Sequence, residues 1–402
     1  MTRATALIAA ALVLATAAPG ASAQGPPPPV PGADAAIVVD GRNGEVMFSK
    51  KAGERHSIAS TTKLMTALLT LDGTRPKAVL TAADYVAAPV ESQIGLTPGE
   101  RMRVSDLLEA LLLESANDAA ATLAVGVSGS VDAFVEDMNE RAEELGLEDT
   151  SYANPIGFDD PLNHSTASDL AALTLQLLQR PRFARIVDMP EAELESGARP
   201  RTIDNRNTLV ASYPFVSGVK TGHTLGAGYV LIGSAEGRGD AKVVSVVLGE
   251  PSEAARDADT LKLLRWGLAF FHQVRVLDDR RVMARADVEY YDDERAALVP
   301  ARNAVLTIRE GERVRRRVRA PDELEGPLDA GTRVGSVTVF VDGEPIRRVA
   351  LVTARDVPGA GTWRVLLSEL GVPLTVLLVL AILLGAALAA MKLRVRVRLV
   401  KK

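Results

Sequence analysis

Cysteine is absent from the 402-residue chain, and histidine occurs only four times. Without cysteine there is no disulfide framework, no thiolate nucleophile and no cysteine-based zinc or iron–sulfur site. The four histidines, His56, His164, His223 and His272, are not spaced as metal ligands, and no His-Glu-x-x-His motif occurs. We therefore expect neither a bound metal nor another cofactor.

An excess of basic residues is also missing, since the formal net charge is -5. Proteins that bind nucleic acid usually need a broad basic surface, so nucleic acid is excluded as an expected partner. Apolar residues are plentiful at 47% of the total, in a chain long enough for one large hydrophobic core and a smaller second one. The sequence therefore predicts two domains.

The N-terminal residues 1–23 have the pattern of a cleavable secretory signal. Arg3 precedes the uncharged run 4–18, and the small residues 21–23 follow. A buried N-terminal helix is the alternative, but the run is short and Pro-rich chain comes after it. Residues 24–32 are expected to form an extended linker.

A longer uncharged stretch lies near the other end of the chain. Residues 370–391 carry no charged side chain and can cross about 30 Å of hydrocarbon as a helix. The basic tail 392–402 is typical of the cytoplasmic flank of a membrane span. A buried core helix is the alternative, although core helices seldom run so long without a charge. These features predict a single-pass protein of the cell membrane whose folded domains face away from the cytoplasm.

Hydrophobic periodicity predicts a mixed domain over 33–272, a small all-β domain over 273–355 and a linker over 356–369. The first domain is expected to combine paired strands with amphipathic helices. The predicted strands are 35–39, 46–48, 228–234 and 242–248, and the predicted helices are 60–73, 106–125 with Ser105 as N-cap, 130–146 and 252–271.

The first candidates for chemistry are Ser60 and Lys63, at a predicted helix start. Their spacing places hydroxyl and ammonium on one helix face, within reach of each other. A serine hydroxyl needs a base to become a nucleophile, and a lysine can be that base if burial or a neighbouring cation lowers its pKa. Because Ser-x-x-Lys also arises by chance in chains of this length, the pair alone is compatible with an ordinary helix start.

A second candidate segment, Ser115-Ala116-Asn117, follows the apolar run 107–113. Polar side chains beside such a run are costly to bury unless they face a cleft or find hydrogen-bond partners. This placement indicates either functional side chains or a helix terminus.

A third segment, Lys220-Thr221-Gly222-His223-Thr224, lies just before the strand predicted at 228–234. A strand edge with a lysine, a hydroxyl and a glycine suits an extended ligand that ends in a carboxylate, because backbone groups can pair with it directly. An exposed strand end with a solvated lysine is the alternative.

In this order and spacing, the three segments resemble the signatures of the penicillin-binding proteins and serine β-lactamases. The wider sequence, including Asn154-Pro155-Ile156-Gly157, resembles the low-molecular-mass D-alanyl-D-alanine carboxypeptidases in particular. The resemblance implies an α/β (α+β) transpeptidase-like fold, with an antiparallel sheet and helices, followed by a small all-β domain and a C-terminal transmembrane helix. Ile58 departs from the pattern, since these enzymes usually carry proline there.

The resemblance also implies catalytic roles. Ser60 attacks the carbonyl between two terminal D-alanines, Lys63 accepts its proton, and Ser115 relays a proton to the leaving D-alanine. Water then clears the acyl-enzyme. The implied partners are a peptidoglycan stem peptide ending in D-Ala-D-Ala, β-lactam antibiotics that acylate Ser60, and the membrane that holds the C-terminal helix.

Substrate binding is implied for further residues. They are Asn117, Lys220, Thr221, Gly222, His223, Thr224 and Arg256. Among them, Lys220 and Thr221 hold the terminal carboxylate, while the backbone N–H groups of Ser60 and His223 form an oxyanion hole. Arg256 is placed like an arginine that assists carboxylate binding in relatives, with a helix-face ion pair as the alternative.

Two other hypotheses remain beside a D-alanine-releasing peptidase. A β-lactamase needs a glutamate-activated water, and none of the Glu-rich loops matches the local signature of that family. A non-catalytic wall-binding protein is the third hypothesis, against which the intact set of Ser60, Lys63, Ser115 and Lys220 argues.

Overall fold

The computed structural model describes residues 26–85 and 87–399. They form two compact units. The first runs to Gly237 and resumes over Ala241–Phe270, and the second comprises Arg238–Asp240 and the chain from Phe271 onward. The predicted signal peptide lies outside the described residues, as does the end of the predicted basic tail.

The first unit alternates strands and helices along its described residues. Its strands are β1 (Ala35–Asp40), β2 (Val46–Lys50), β3 (His56–Ser57), β4 (Val79–Thr81), β5 (Arg101–Arg103), β6 (His164–Ser165), β7 (Glu191–Leu194), β8 (Arg201–Asp204), β9 (Val216–Thr224), β10 (Gly228–Glu236) and β11 (Lys242–Glu250). Its helices are α1 (Lys63–Gly73), α2 (Val104–Glu109), α3 (Asn117–Ser128), α4 (Val131–Glu144), α5 (Ala167–Leu178), α6 (Pro181–Val187), α7 (Thr208–Ser212) and α8 (Glu253–Leu268).

A five-stranded antiparallel sheet, in the order β2-β1-β11-β10-β9, forms the centre of this unit. All six residues of β1 are buried, as expected for its apolar sequence. α8 packs on β10 and β11, and α5 packs on β11 and β1. β9 lies at the edge of the sheet, so one side of its backbone has no strand partner in the part of the chain that the structure describes. The segment from Lys220 to Thr224, expected just ahead of a strand, is the C-terminal end of β9 itself.

Three helices of this unit, α4, α5 and α8, begin after a side-chain cap. The side-chain oxygens of Ser130, Thr166 and Ser252 accept hydrogen bonds from the backbone three residues on, at the starts of α4, α5 and α8. Such a cap commonly stabilises a helix by about 1 kcal/mol. The prediction that the last of these helices extends to residue 271 was wrong, because α8 ends at Leu268 and a new strand begins at Phe271.

The single helix predicted over 106–125 was also wrong. α2 begins at Val104 without a side-chain cap, and Ser105 instead donates a hydrogen bond to the Asp106 carboxylate. A π-helical turn, Ala110–Glu114, follows, and Ser115 then adopts a left-handed conformation with φ 64°. A second helix, α3, starts at Asn117. Both helices pack into the same core, so the apolar periodicity continues from α2 into α3. The sequence pattern therefore did not reveal the break between them.

The second unit is a small all-β module followed by a helix, as predicted. Its strands are β12 (Phe271–Leu277), β13 (Ala284–Val288), β14 (Tyr291–Pro300), β15 (Ala304–Arg309), β16 (Val314–Arg319), β17 (Glu323–Leu324), β18 (Arg333–Val341) and β19 (Glu344–Thr353). Six of them form a sheet in the order β16-β18-β19-β14-β13-β17, and β12 pairs with β15. Two separate clusters of buried aliphatic side chains hold the module together.

The last helix, α9 (Thr362–Leu399), has a break near its start, where Gly371 leaves the helical conformation two residues before Pro373. Proline lacks the backbone N–H of a regular helix, so carbonyl groups one turn earlier lose their partner. The Thr375 hydroxyl donates across the break to the Leu366 carbonyl oxygen at 3.0 Å. Beyond the break, Pro373–Lys392 has a mean hydropathy of 2.7, and only 6% of its most apolar stretch is covered by protein. This is the one single helix among the described residues with the length and composition of a membrane span.

Candidate active site

Ser60 lies in a short 3-10 turn, Ala59–Thr62, that leads directly into α1. Ala59 has a positive φ of 46°, an unfavourable conformation for a residue with a side chain. Two glycines pack closely against the backbone of this turn and hold it in place. A methyl group added to Gly157 would lie 2.0 Å from the Ala59 carbonyl oxygen, and one added to Gly222 would lie 2.9 Å from the Ser60 nitrogen. Only backbones without side chains can approach Ser60 so closely.

Lys63 occupies the first turn of α1 and is completely buried. Its Nζ makes three hydrogen bonds, to Ser60 Oγ at 3.0 Å, to Asn117 Oδ1 at 2.7 Å and to the Ile156 carbonyl oxygen at 2.7 Å. The predicted contact between Ser60 and Lys63 is therefore present. Two of the three neighbours are oxygens that can accept hydrogen bonds but cannot donate them.

The two oxygens that can only accept hydrogen bonds determine how a neutral Lys63 amine is oriented. A neutral amine has two hydrogens and one lone pair, and both hydrogens are used by Asn117 Oδ1 and the Ile156 oxygen. The lone pair is then left for Ser60 Oγ, the one neighbour with a proton to give. The arrangement thus directs the basic electron pair of Lys63 at the serine hydroxyl.

The electrostatics of the site favour that neutral amine. Burial and the nearby Lys220 lower the pKa of Lys63 well below its ordinary value of 10.5, while Glu91 and Asp118 act in the opposite direction. Burial dominates because an ammonium group loses its hydration in the protein interior. The lowered pKa increases the share of Lys63 in the neutral form, which is the form that can accept a proton.

Ser115 and Asn117 are brought to the same site by the break between α2 and α3. The left-handed conformation of Ser115 turns the chain, and Asn117 then begins α3 one residue after the turn. The Ser115 hydroxyl is buried and makes no hydrogen bond with any residue in the described parts of the chain. A buried hydroxyl without a partner is costly, and it marks an atom available to a bound ligand.

The loop that supplies the Ile156 carbonyl is fixed by Asn154. Its Oδ1 accepts hydrogen bonds from the backbone nitrogens of Ile156, Gly157 and Phe158, at 3.2, 2.7 and 3.0 Å. One side chain therefore positions both the carbonyl that contacts Lys63 and the glycine that packs against Ala59. In the sequence, this loop could be found only through its resemblance to the D-alanyl-D-alanine carboxypeptidases. A backbone carbonyl acceptor does not depend on residue type, so it leaves no signal of its own.

Lys220 lies on the edge strand β9 and is only 1% exposed. Its Nζ donates to the Thr221 carbonyl oxygen at 3.0 Å. Burial, assisted by the charges of Arg206 and Arg256, lowers the pKa of Lys220 to about 7. Among the described residues, no carboxylate is hydrogen-bonded to Lys220, and a buried lysine of this kind is a strong candidate for binding an anionic ligand.

The rest of the segment continues along β9. Thr221 and Gly222 are buried, whereas the exposed His223 ring stacks on Tyr229 with the ring centroids 4.0 Å apart. The Thr224 hydroxyl donates to Asp159 at 2.6 Å. Because β9 packs against the 3-10 turn of Ser60, the end of the strand lies beside the serine.

Arg256 is buried near the start of α8 and is held by acidic neighbours. Its guanidinium donates to Glu253 and to Asp257, both at 2.9 Å. The ion-pair alternative is therefore realised. Arg256 also helps to lower the pKa of Lys220, so its charge acts on the cleft even though its hydrogen bonds are directed to these carboxylates.

Glu91 was missed from the sequence. It lies in a loop without a motif, yet its carboxylate accepts a hydrogen bond from Asn117 Nδ2 at 2.8 Å. Arg206, which pairs with Glu114, is a further charged residue near Lys220. In the described part of the chain, no three His, Asp or Glu side chains converge in a way that could hold a metal ion.

Two family models match successive parts of the chain. Residues 22–252 match the D-alanyl-D-alanine carboxypeptidase family. The chain belongs to this family. The D-alanyl-D-alanine carboxypeptidase match covers the first unit up to the start of α8, and residues 271–359 match the penicillin-binding protein 5 C-terminal domain. The resemblance inferred from the three sequence segments is confirmed.

Curated relatives of the carboxypeptidase family extend over most of the chain. D-alanyl-D-alanine carboxypeptidase DacF of Bacillus subtilis is 29% identical over 338 residues, which cover 82% of this chain and 87% of the relative. D-alanyl-D-alanine carboxypeptidase DacA of Escherichia coli is 33% identical over 350 residues, covering 82% and 85%.

Solved structures of the family share the fold. Penicillin-binding protein 5 of Haemophilus influenzae aligns with a TM-score of 0.59 at 29% identity, covering 84% of this chain and 100% of that one. Penicillin-binding protein 6B of Escherichia coli gives 0.60 at 28% identity, covering 82% and 98%. The predicted fold class is confirmed.

Proposed function

We propose that the chain is a serine-type D-alanyl-D-alanine carboxypeptidase that removes the terminal D-alanine from peptidoglycan stem pentapeptides. Family membership supports the reaction. The observation that carries the proposal is the buried Lys63 amine, which lies 3.0 Å from Ser60 Oγ and makes its other two hydrogen bonds to oxygens that can only accept. A serine and a neutral lysine in this geometry form a nucleophile and its general base.

In the proposed reaction, Lys63 Nζ accepts the hydroxyl proton as Ser60 Oγ bonds to the carbonyl carbon between the two D-alanines. The backbone N–H groups of Ser60 and His223 bind the oxygen that becomes negatively charged, and one such donor is commonly worth about 3 kcal/mol. The C–N bond then breaks, and the proton held by Lys63 reaches the leaving amine through the Ser115 hydroxyl. Water attacks the resulting ester, Lys63 again takes a proton, and Ser60 is regenerated.

The terminal carboxylate of the substrate fits the cationic end of the cleft. Lys220 and Thr221 hold this carboxylate, Arg256 supports it with its charge, and Gly222 and Thr224 keep the strand close to the peptide. Because the pKa of Lys220 is about 7, a bound carboxylate shifts the lysine toward its ammonium form and strengthens its own binding. Asn117 has one Nδ2 hydrogen beyond the one given to Glu91, and this hydrogen binds a carbonyl of the peptide backbone.

β-Lactam antibiotics acylate the same serine. Their strained amide occupies the position of the scissile peptide bond, and their carboxylate occupies that of the terminal D-alanine. Ring opening leaves the amine attached to the acyl group, so the leaving group stays in the cleft and obstructs the hydrolytic water.

The proposed location is the outer face of the cytoplasmic membrane. Residues 1–23 serve as an export signal, the linker 24–32 leads into the catalytic domain 33–272, and the β-rich domain 273–355 follows. The apolar helix within 370–391 anchors the protein, and 392–402 remain on the cytoplasmic side. The exposed apolar surface of Pro373–Lys392 supports the anchor.

Acylation and product release test the proposal together. The full chain in detergent is expected to release D-alanine from a stem pentapeptide and to be labelled by a fluorescent penicillin. Ser60→Ala is expected to lose both activities, whereas Ser212→Ala, on the exposed face of α7, keeps them. Labelling of the Ser60→Ala protein at the wild-type level contradicts the assignment of the nucleophile, and rapid antibiotic hydrolysis without release of D-alanine identifies a β-lactamase instead.

A further inference from the structure

Glu91 is held beside the catalytic lysine by a set of contacts that the reaction scheme does not use. Its Oε2 accepts from Asn117 Nδ2 at 2.8 Å and from the Tyr85 hydroxyl at 2.5 Å, and its Oε1 accepts from the Ala88 backbone nitrogen at 2.9 Å. These hydrogen bonds outweigh burial, which alone would raise the pKa of Glu91, and keep the side chain ionised. An ionised carboxylate can only accept hydrogen bonds.

The loop that carries Glu91 is fastened to the start of α3 at Asn117 and at Asp118. The Asn117 backbone nitrogen donates to the Ser92 carbonyl oxygen at 2.8 Å. The Asp118 carboxylate accepts from the backbone nitrogens of Ile94 and Leu96, at 3.2 and 2.9 Å. Glu91 and Asn117 are therefore held at a fixed separation by backbone contacts that involve neither of their side chains.

The amide of Asn117 has two orientations, and only one leaves Lys63 able to act as a base. In the observed orientation Oδ1 accepts from Lys63 Nζ, and Nδ2 donates to Glu91. In the flipped orientation Oδ1 would face the Glu91 carboxylate, oxygen against oxygen, and Nδ2 would face Lys63. A donor at that position competes with the Ser60 hydroxyl for the lone pair of the neutral amine.

We propose that Glu91 is a positioning residue of acylation, which fixes the Asn117 amide so that the lone pair of Lys63 faces Ser60. The proposal rests on the proposed function, because it assigns Glu91 a part in the reaction of Ser60. Glu91 acts through Asn117 and needs no contact with substrate.

Glu91→Gln is the informative change because it preserves the size of the side chain and reverses the direction of its hydrogen bonds to Tyr85 and Asn117. The Ala88 N–H is a fixed donor, so a glutamine keeps its carbonyl oxygen there and presents its NH2 group to Tyr85 and Asn117. Tyr85 can then accept, and Asn117 must flip to offer its oxygen. The substitution thus directs an N–H of Asn117 at Lys63 without creating a cavity.

The measurement is the limiting first-order rate constant of acylation by a chromogenic β-lactam at saturation, with the full chain in detergent. A loss of folded protein lowers the amplitude of this reaction, whereas a misdirected base lowers its rate constant. Glu91→Gln is expected to slow acylation by about 10- to 100-fold, as for other losses of an orienting partner, with unchanged amplitude. Glu54→Gln, which removes an exposed carboxylate paired with Lys51, is the matched control and keeps the wild-type rate.

Two further variants separate orientation from other effects. In an Asn117→Ala background, Glu91→Gln is expected to change the remaining rate by less than about twofold, because residues acting through one contact are not additive. Tyr85→Phe removes the other side-chain partner of Glu91 and is expected to leave the rate within about twofold of wild type.

Three outcomes overturn the role of Glu91. The first is a wild-type acylation rate constant in Glu91→Gln. The second is that Glu91→Gln slows acylation in the Asn117→Ala background by the same factor as in the wild-type chain. The third is that Tyr85→Phe slows acylation as much as Glu91→Gln does. A failure of the proposed function looks different, because the wild-type chain itself would then not be acylated at Ser60.

Discussion

Lys220 is expected to destabilise the fold that it serves, and replacing it with methionine tests this expectation. The ordinary pKa of a lysine is 10.5, and burial lowers that of Lys220 to about 7. At about 1.4 kcal/mol per pKa unit, this difference corresponds to a cost of about 5 kcal/mol for holding the residue in the folded state at low pH. Methionine has a similar shape and carries no charge, so Lys220→Met removes the cost.

The sign of the effect follows from proton linkage. Below pH 7 the lysine is charged in both states, and the folded protein bears the whole cost of burying the charge. Between pH 7 and 10.5 only the unfolded chain binds the proton, so the cost declines as the pH rises. The gain in unfolding free energy for Lys220→Met is therefore expected to be about 5 kcal/mol at pH 6, about 3 kcal/mol at pH 8 and about 1 kcal/mol at pH 10.

Tryptophan fluorescence during urea denaturation is the assay. The chain has two tryptophans, and in a Trp363→Phe background only Trp266, on α8 of the first unit, reports. Lys77→Met, at an exposed lysine, controls for the general effect of removing a positive charge. A gain that is the same at all three pH values, or a loss of stability, refutes the reasoning, because the gain must follow the titration of a buried amine. Binding of the terminal carboxylate should fall in the same variant, so stability and activity change in opposite directions.

Three other changes have defined outcomes. Gly157→Ala places a methyl group 2.0 Å from the Ala59 carbonyl oxygen, at a residue whose φ is 100°. It is expected to destabilise the fold by about 2 kcal/mol or more and to slow acylation. An unchanged melting temperature and acylation rate would show that the loop does not support Ser60. Ser115→Ala is expected to lower the release of D-alanine by about 100-fold or more, as for loss of a proton relay, with an unchanged circular dichroism spectrum, and near-normal release would exclude the relay. A chain ended at Gly361 is expected to leave the membrane fraction on ultracentrifugation with its carboxypeptidase activity intact, and continued sedimentation with membranes would show that α9 is not the anchor.

Much of the site could be predicted because its chemistry depends on residue type. A serine and a lysine three residues apart share a helix face whatever the rest of the chain does, and the structure places Lys63 Nζ 3.0 Å from Ser60 Oγ. The apolar strands β1, β10 and β11 could also be predicted, because their buried sequences show no helical periodicity that would favour another structure.

The parts that could not be predicted depend on tertiary contacts. The π-helical turn and the left-handed Ser115 are imposed by packing, and nothing in the apolar run 107–113 indicates a break. The carbonyl of Ile156 has the same backbone chemistry as every other residue. Glu91 is one of many glutamates, and only the fastening of its loop to α3 brings it to Asn117.

The packing of Gly157 and Gly222 against the backbone of Ser60 has a consequence for antibiotic resistance. Resistance by target alteration requires a protein that discriminates between an antibiotic and the peptide that the antibiotic imitates. In the proposed reaction both compounds acylate Ser60, and the turn that carries it tolerates no added atom at either glycine, so substitutions there are expected to harm the two reactions together. Selection for resistance in this enzyme is therefore expected to spare these glycines and to act on residues that contact only the parts of the drug absent from the stem peptide.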